Sequence, residues 1–265
     1  MLSKGWILLA AAIISQGAWA LAPCGTDSGI GDWCSLDINQ PHPTQAGVGQ
    51  QQVDKTQAKL ATKSPAQLKK YMKKKKIPVI VDADGQYWLV DRHHLTKALW
   101  QQGVVEVTVH ILAHLDNKES FWQDMQGNHW TWLRDEKGAP LTPDQLPAHI
   151  SKLPDYPYRS LAGELQDAGY YSKHEQVYFV EFAWASWLGE QMNWVPVNAS
   201  TLPERLEQAA QLACSSAAKA LPGYPGEQCS TMRHLINTTN YDSIAKRDLN
   251  KIHHFEDTIS LRANK

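Results

Sequence analysis

The sequence predicts an α+β protein: a small sheet with helices over residues 43–137, followed by an α-helical region over residues 138–265. Three observations carry that expectation. Val104 to Leu112 alternates apolar and polar residues as a half-buried strand does. Ile77–Val81 and Tyr87–Val90 are β-branched and aromatic runs around Asp82-Ala-Asp-Gly85, a good hairpin turn because Asp-Gly tolerates positive φ. Beyond the Gly/Pro-rich stretch 138–147, apolar residues return with a helical period.

Residues 1–20 have the layout of a secretory signal: Lys4, an apolar run from Trp6 to Ile14, and Ala18-Trp19-Ala20 at a cleavage site expected after Ala20. The apolar run is far shorter than the roughly 20 residues a membrane span needs, so a periplasmic or secreted chain without a membrane span is expected. A lipoprotein reading of Leu21-Ala22-Pro23-Cys24 fits poorly, with proline directly before the cysteine. Residues 21–42 lack sustained periodicity and read as a disulfide-stapled arm, with regular structure expected from Pro43.

Ser64-Pro65 supplies an N-cap and a first-turn proline for a helix through about Lys75, with Leu68, Tyr71 and Met72 on one face. Lys73 to Lys76 suit the negative end of that helix and a solvated surface, or attract a polyanion. A helix from His93 to about Gln102 should stop at Gly103, and Leu95 and Ala98 are spaced to pack it on the sheet. A helix near Glu119–Gln126 and a short strand at Trp130–Leu133 complete the α/β unit. Three helices follow: Tyr158–Ala168, Gln176–Met192, and one capped at Thr201 that runs to about Ala220. Phe179, Phe182, Ala183, Trp187 and Leu188 are expected on one side of the second. The tail beyond Ile252 is polar.

Lys and Arg number 26 against 27 Asp and Glu; removing residues 1–20, which hold Lys4 and no acid, leaves 25 against 27. A net charge near −2 is not the profile of a generic DNA-coating domain. Eleven Trp suit helix cores first and a stacking platform second. In an oxidising compartment Cys24, Cys34, Cys214 and Cys229 read as two bridges rather than metal ligands or reactive thiols. Of three possible pairings, the short-range one, Cys24–Cys34 with Cys214–Cys229, closes two loops rich in Gly, Pro or Ser and contributes ~3 kcal/mol per bridge.

The chemistry-bearing stretch is Asp91-Arg92-His93-His94, where a hairpin strand runs into a helix. Unpaired N–H groups at a helix start carry partial positive charge, so Arg92 and the first-turn amides can hold a phosphate. Imidazoles at His93 and His94 can move a proton near neutral pH. Asp91 could orient an imidazole or help hold a divalent metal, although adjacent His residues diverge on a helix and do not make a metal site by spacing. The alternative is structural: Asp91 caps the helix and the imidazoles satisfy local hydrogen bonds. His110 and His114, at i and i+4 on a strand, make a weak zinc pair.

This junction resembles the phosphate-binding helix start of the ParB/sulfiredoxin superfamily, and the chain is more closely similar to the ParB-like nuclease family. Pro43-Thr44-Gln45 with Val48-Gly49, Ile77-Pro78-Val79, Asp91-Arg92-His93-His94, Phe121-Trp122, Pro157-Tyr158-Arg159-Ser160-Leu161-Ala162, and Glu181-Phe182 with Trp184-Ala185 occur in the family's order over most of residues 40–225. The resemblance implies a small mixed sheet of ParB/sulfiredoxin type. It departs from the superfamily at Asp91, usually Gly, and at His94, usually Arg. Sulfiredoxin's catalytic Cys falls at Arg92, so that thiol chemistry has no counterpart.

The resemblance raises Arg159 as a phosphate-binding residue and Glu181 as an acid–base partner or an orienter of His94; a buried Arg159–Glu181 ion pair explains both equally. Lys173 and His174 are weaker candidates. The expected function is a hydrolase, a nuclease or phosphodiesterase, with His93, His94 and Glu181 catalytic and Asp91, Arg92 and Arg159 on the substrate. Its partner is a phosphate-containing ligand or nucleic acid, and a divalent metal is an open cofactor. The alternative is a non-catalytic anion- or nucleotide-binding protein. Kinase activity fits an exported chain poorly.

Overall fold

The computed structural model describes residues 21–172 and 178–226. Residues 1–20, where an export signal is expected, and Lys173, His174, Cys229 and the polar tail lie outside the described residues. The elements are β1 (Trp33–Asp37), β2 (His42–Pro43), α1 (Gln50–Leu60), α2 (Pro65–Lys75), β3 (Ile77–Asp82), β4 (Tyr87–Leu89), α3 (His93–Gln101), β5 (Glu106–Leu115), α4 (Phe121–Gly127), α5 (Pro157–Asp167), α6 (Val180–Gln191) and α7 (Leu202–Ala213).

Five strands form one mixed sheet in the order β1-β5-β3-β4-β2. β1 runs antiparallel to β5, β5 parallel to β3, β3 antiparallel to β4, and β4 parallel to β2. The segment read as a stapled arm therefore supplies a sheet edge. Cys24 and Cys34 are bonded to each other, and the bridge ties the chain before β1 onto it through Cys24 N–H to Ser35 O at 2.9 Å. Periodicity missed β1 because it is five residues long and alternates only Cys34 and Leu36 into the core. Cys214 is also disulfide-bonded.

Helix α2 starts as the sequence dictates: Ser64 and Gln67 exchange side-chain and backbone hydrogen bonds in a capping box, and Pro65 occupies the first turn. Asp82 closes the β3–β4 hairpin, its Oδ1 accepting from Asp84 N and Gln86 N at 2.9 Å each. α3 ends at Gly103, whose φ of +74° is the left-handed conformation that residue tolerates.

α1 was not foreseen. Its sequence, QQQVDKTQAKL, buries only Val53 and Leu60, because this helix meets α5 through polar groups: Gln52 Nε2 donates to Ser160 O at 3.1 Å, and Lys55 pairs with Glu164 at 2.5 Å. The expected strand at Trp130–Leu133 is instead a loop carrying isolated bridges Gln45↔Trp132 and Arg134↔Pro140. Trp132 N–H reaches Thr44 O at 2.9 Å, but the chain then turns back, with Leu141 N–H on Leu133 O.

Two main cores result. Val53, Leu60, Val79, Leu89, Leu99, Val109 and Ile111 lie between the sheet and α1–α3; Leu161, Leu165, Trp184, Leu188 and Ala209 lie among α5, α6 and α7. α6 buries Val180, Phe182, Trp184, Ala185, Leu188 and Gly189, not the single face expected. It is sandwiched, with Trp184 stacked on Tyr171 at 4.5 Å and Phe182 facing Trp132 at 5.5 Å. Trp184, Trp187 and Trp194 serve the second core, and Trp88 and Trp122 meet Phe121 in a smaller one, while Trp100 is exposed. α7 stops at Ala213, earlier than the expected Ala220, and a 3-10 turn follows at Ser216–Ala218.

Candidate functional site

The β4–α3 junction is tight. Arg92, the residue before α3, has φ 67°, and no side chain caps the helix. A bulky residue in that conformation costs on the order of 1–2 kcal/mol. Two contacts hold it: Asp91 Oδ1 accepts its backbone N–H at 2.6 Å, and its own Nε donates to Lys75 O at 3.0 Å. Asp91 thus binds the amide ahead of the helix, and the first-turn amides remain uncapped by side chains.

The two imidazoles turn inward. His93 is 4% exposed; its Nε2 accepts the backbone N–H of Thr44 at 3.2 Å, and the ring also meets the carbonyl of Leu89. Burial lowers its pKa to about 4, against the opposing pull of Asp91 and the Leu89 carbonyl. His93 is therefore a neutral ring. His94 Nε2 accepts the backbone N–H of Gly49 at 3.1 Å. Adjacent positions on a helix point apart, and these two rings hold two points of one segment, residues 44–49.

That segment is fastened elsewhere. Thr44 Oγ1 donates to Leu89 O at 2.8 Å, Thr131 Oγ1 to Thr44 O at 2.8 Å, and Tyr156 N–H to Val48 O at 2.7 Å. Asp155 Oδ1 accepts Gln50 N–H at 2.9 Å, at the start of α1. Burial raises the Asp155 pKa and lowers that of Lys97, whose Nζ donates to Leu153 O. The Thr44 and Gly49 roles had no sequence signal beyond their place in the Pro-Thr-Gln and Val-Gly pairs, because a backbone amide leaves no trace in residue type.

Arg159 and Glu181 come from α5 and α6. The Arg159 guanidinium stands 3.7 Å from Glu181 Oε1 and over the Phe182 ring at 5.2 Å. Its side chain is 10% exposed, and its Nε has no hydrogen-bond partner among the described residues. A buried donor without an acceptor costs about 1–3 kcal/mol, a penalty an incoming anion would relieve.

Asp91, Arg92, His93, His94, Arg159 and Glu181 all line one cleft of about 870 Å³. Tyr71, Lys75, His129, Trp130 and Tyr178 line it as well; sequence reasoning missed them because their three segments meet only in the fold. His110 and His114 do not converge on it: His110 packs on Trp33 at 4.8 Å, and His114 Nε2 lies 3.1 Å from Ser28 O. Among the described residues no group of three or more His, Cys, Asp or Glu side chains gathers at metal-holding range. No helix of the described residues is long and apolar enough to cross a membrane.

Comparison with known proteins identifies the family. No curated protein matches the chain. Among solved structures, protein Atu1540 from Agrobacterium tumefaciens is similar, at 29% identity and a TM-score of 0.63, over 74% of this chain and 98% of that one. The profile of the family described as "Putative ParB-like nuclease" matches residues 34–190. That match runs from within β1 to within α6 and takes in every cleft residue named above, and the chain belongs to this ParB-like nuclease family.

Proposed function

We propose that the cleft binds a phosphate-containing ligand between the uncapped start of α3 and Arg159, and that the chain acts on phosphodiesters. One observation carries the reading most: Arg159, whose buried Nε has no acceptor among the described residues, lines the same cleft as a helix start that no side chain caps. Arg92, 44% exposed along its side chain, supplies a second cation at the mouth. The backbone amides and two guanidinium groups would then stabilise charge developing on phosphoryl oxygens.

The bonds to Thr44 and Gly49 favour a positioning role for His93 and His94 over proton transfer. Protonating His93 at Nε2 would break its bond to Thr44. Glu181 is then the carboxylate placed to take a proton from water, with Arg159 holding it in the cleft. Asp91 fixes Arg92. A divalent metal would bring further activation of water, and Asp91 and Glu181 are the cleft carboxylates that could contribute ligands.

The occupation of both imidazoles specifically favours a second reading, binding without turnover. Calorimetry with inorganic phosphate, alongside cleavage assays on single- and double-stranded DNA and bis(p-nitrophenyl) phosphate with or without Mg²⁺, Mn²⁺ or Zn²⁺, separates the two. Saturable binding with turnover lost in Glu181→Gln supports the enzyme. Binding alone supports the second reading, and neither sinks both. The Cys24–Cys34 bridge supports an oxidising compartment, in keeping with the export signal read in residues 1–20.

A further inference from the structure

We propose that the lysine face of α2 is a track that guides a single-stranded polynucleotide into the cleft; the inference rests on the phosphate reading of that cleft. α2 and its C-cap read PAQLKKYMKKKK, six lysines without an acid, in a chain whose formal net charge is −1. Complementing the helix dipole concerns the last turn alone. Lys70 lies ahead of that turn, so the dipole does not account for the whole run. Lys70, Lys73, Lys74 and Lys76 are exposed, and none makes an ion pair among the described residues; Lys73 rests over the Trp33 ring at 5.8 Å.

The track and the cleft are continuous. Tyr71 and Lys75, one turn apart on α2, line the cleft, and the Lys75 carbonyl accepts from Arg92 Nε at 3.0 Å. From Lys69 to Lys76 the helix rises about 10 Å. At one phosphate per roughly 3.4 Å of strand, that length matches about three phosphates.

An anionic membrane is the other extended polyanion, but an interfacial helix needs an exposed apolar face. On α2 that face is spent: Met72 is buried, and Leu68 and Tyr71 pack against the sheet core. None of the exposed large apolar residues lies on α2. A single strand is favoured by the cleft rim, where Tyr178, 55% exposed, stacks on His129 at 4.1 Å. Such a ring pair offers a face for an unpaired base.

The test is the salt dependence of binding, by the full chain, of a fluorescent oligodeoxythymidylate roughly twelve nucleotides long. Each lysine–phosphate contact to a single strand adds about 0.7 to the slope of log K against log[salt], so K70Q/K73Q/K74Q should flatten that slope by about 2. K70R/K73R/K74R should restore it, and affinity should rise with oligonucleotide length in the native chain only. An unchanged slope in the glutamine variant overturns the proposal. So does equal binding of inorganic polyphosphate of the same charge, or binding of phosphatidylserine vesicles in place of the oligonucleotide. Inorganic phosphate binding, measured in parallel on Arg159→Lys, reports on the cleft alone. Equal phosphate binding by Arg159→Lys and the native chain, or none by the native chain, with the slope effect intact, sinks the cleft reading but not the track.

Discussion

The backbone N–H of Thr44 points at Nε2 of His93 across 3.2 Å. A buried imidazole is thereby required as an acceptor, and only its neutral form can serve. A second backbone contact of this kind joins Gly49 N–H to His94 Nε2, 3.1 Å apart, so the start of α3 anchors the chain that enters α1.

Stability should fall in acid for this reason. The pKa of His93 is about 4 in the fold, below the ordinary value of 6.5. The unfolded chain therefore takes up a proton first as pH drops. The stabilisation is whole above about pH 6.5, is lost progressively down to about pH 4, and changes no further below that; the full difference is about 3 kcal/mol. Urea titrations at pH 7, 5.5 and 4 check this, and His93→Gln should lower stability at pH 7 while flattening the acid limb.

Gly49→Ala should destabilise the protein by about 1–3 kcal/mol. A Cβ there would stand 2.8 Å from Ser160 N and Oγ and 2.4 Å from Gln52 Oε1. The Gln52 side chain can move aside, but the α5 backbone cannot. A thermal melt reads the loss, and the His94 ring resonances should shift with it.

Arg159→Lys keeps the positive charge but removes the planar fork and its Nε donor. Phosphate affinity should drop about tenfold, the cost of one charge-assisted hydrogen bond. The fold should persist, because an ammonium can still face Glu181. Calorimetry beside a denaturation curve tells the two effects apart.

Reducing Cys24–Cys34, or replacing both by Ser, should cost about 3 kcal/mol from the loop it closes. The bridge lies at β1, the opposite sheet edge from β2, which leads into the cleft segment. Phosphate affinity should therefore be unchanged well below the melting temperature, which a binding isotherm with and without dithiothreitol checks.

Elements with punctuation were legible in the sequence: Ser64-Pro65 opens α2, Asp82 and Gly85 turn the hairpin, and Gly103 ends α3. The cleft residues were legible too, through motif order, and Asp91 to His94, Arg159 and Glu181 do line one space. What the imidazoles do there was not, since their partners are the amides of Thr44 and Gly49. α1 escaped because two buried residues in eleven give no period to detect. Trp130 to Leu133 misled because aromatic alternation also suits a loop in which Trp132 packs on Phe182 of α6 and Trp130 joins the cluster around Phe121 and Met125.

The ties of residues 44–49 have a practical consequence for dissecting this molecule. One short run of chain is bonded to β4, to α3, to the loop at Thr131 and Trp132, and to the approach to α5. Cutting the gene at codon 138, where composition invites it, would leave the first fragment without its Pro154 and Tyr156 partners and the second without a floor. Neither half should be expressible alone as a working unit; co-expression that rejoins them would be the way to study each.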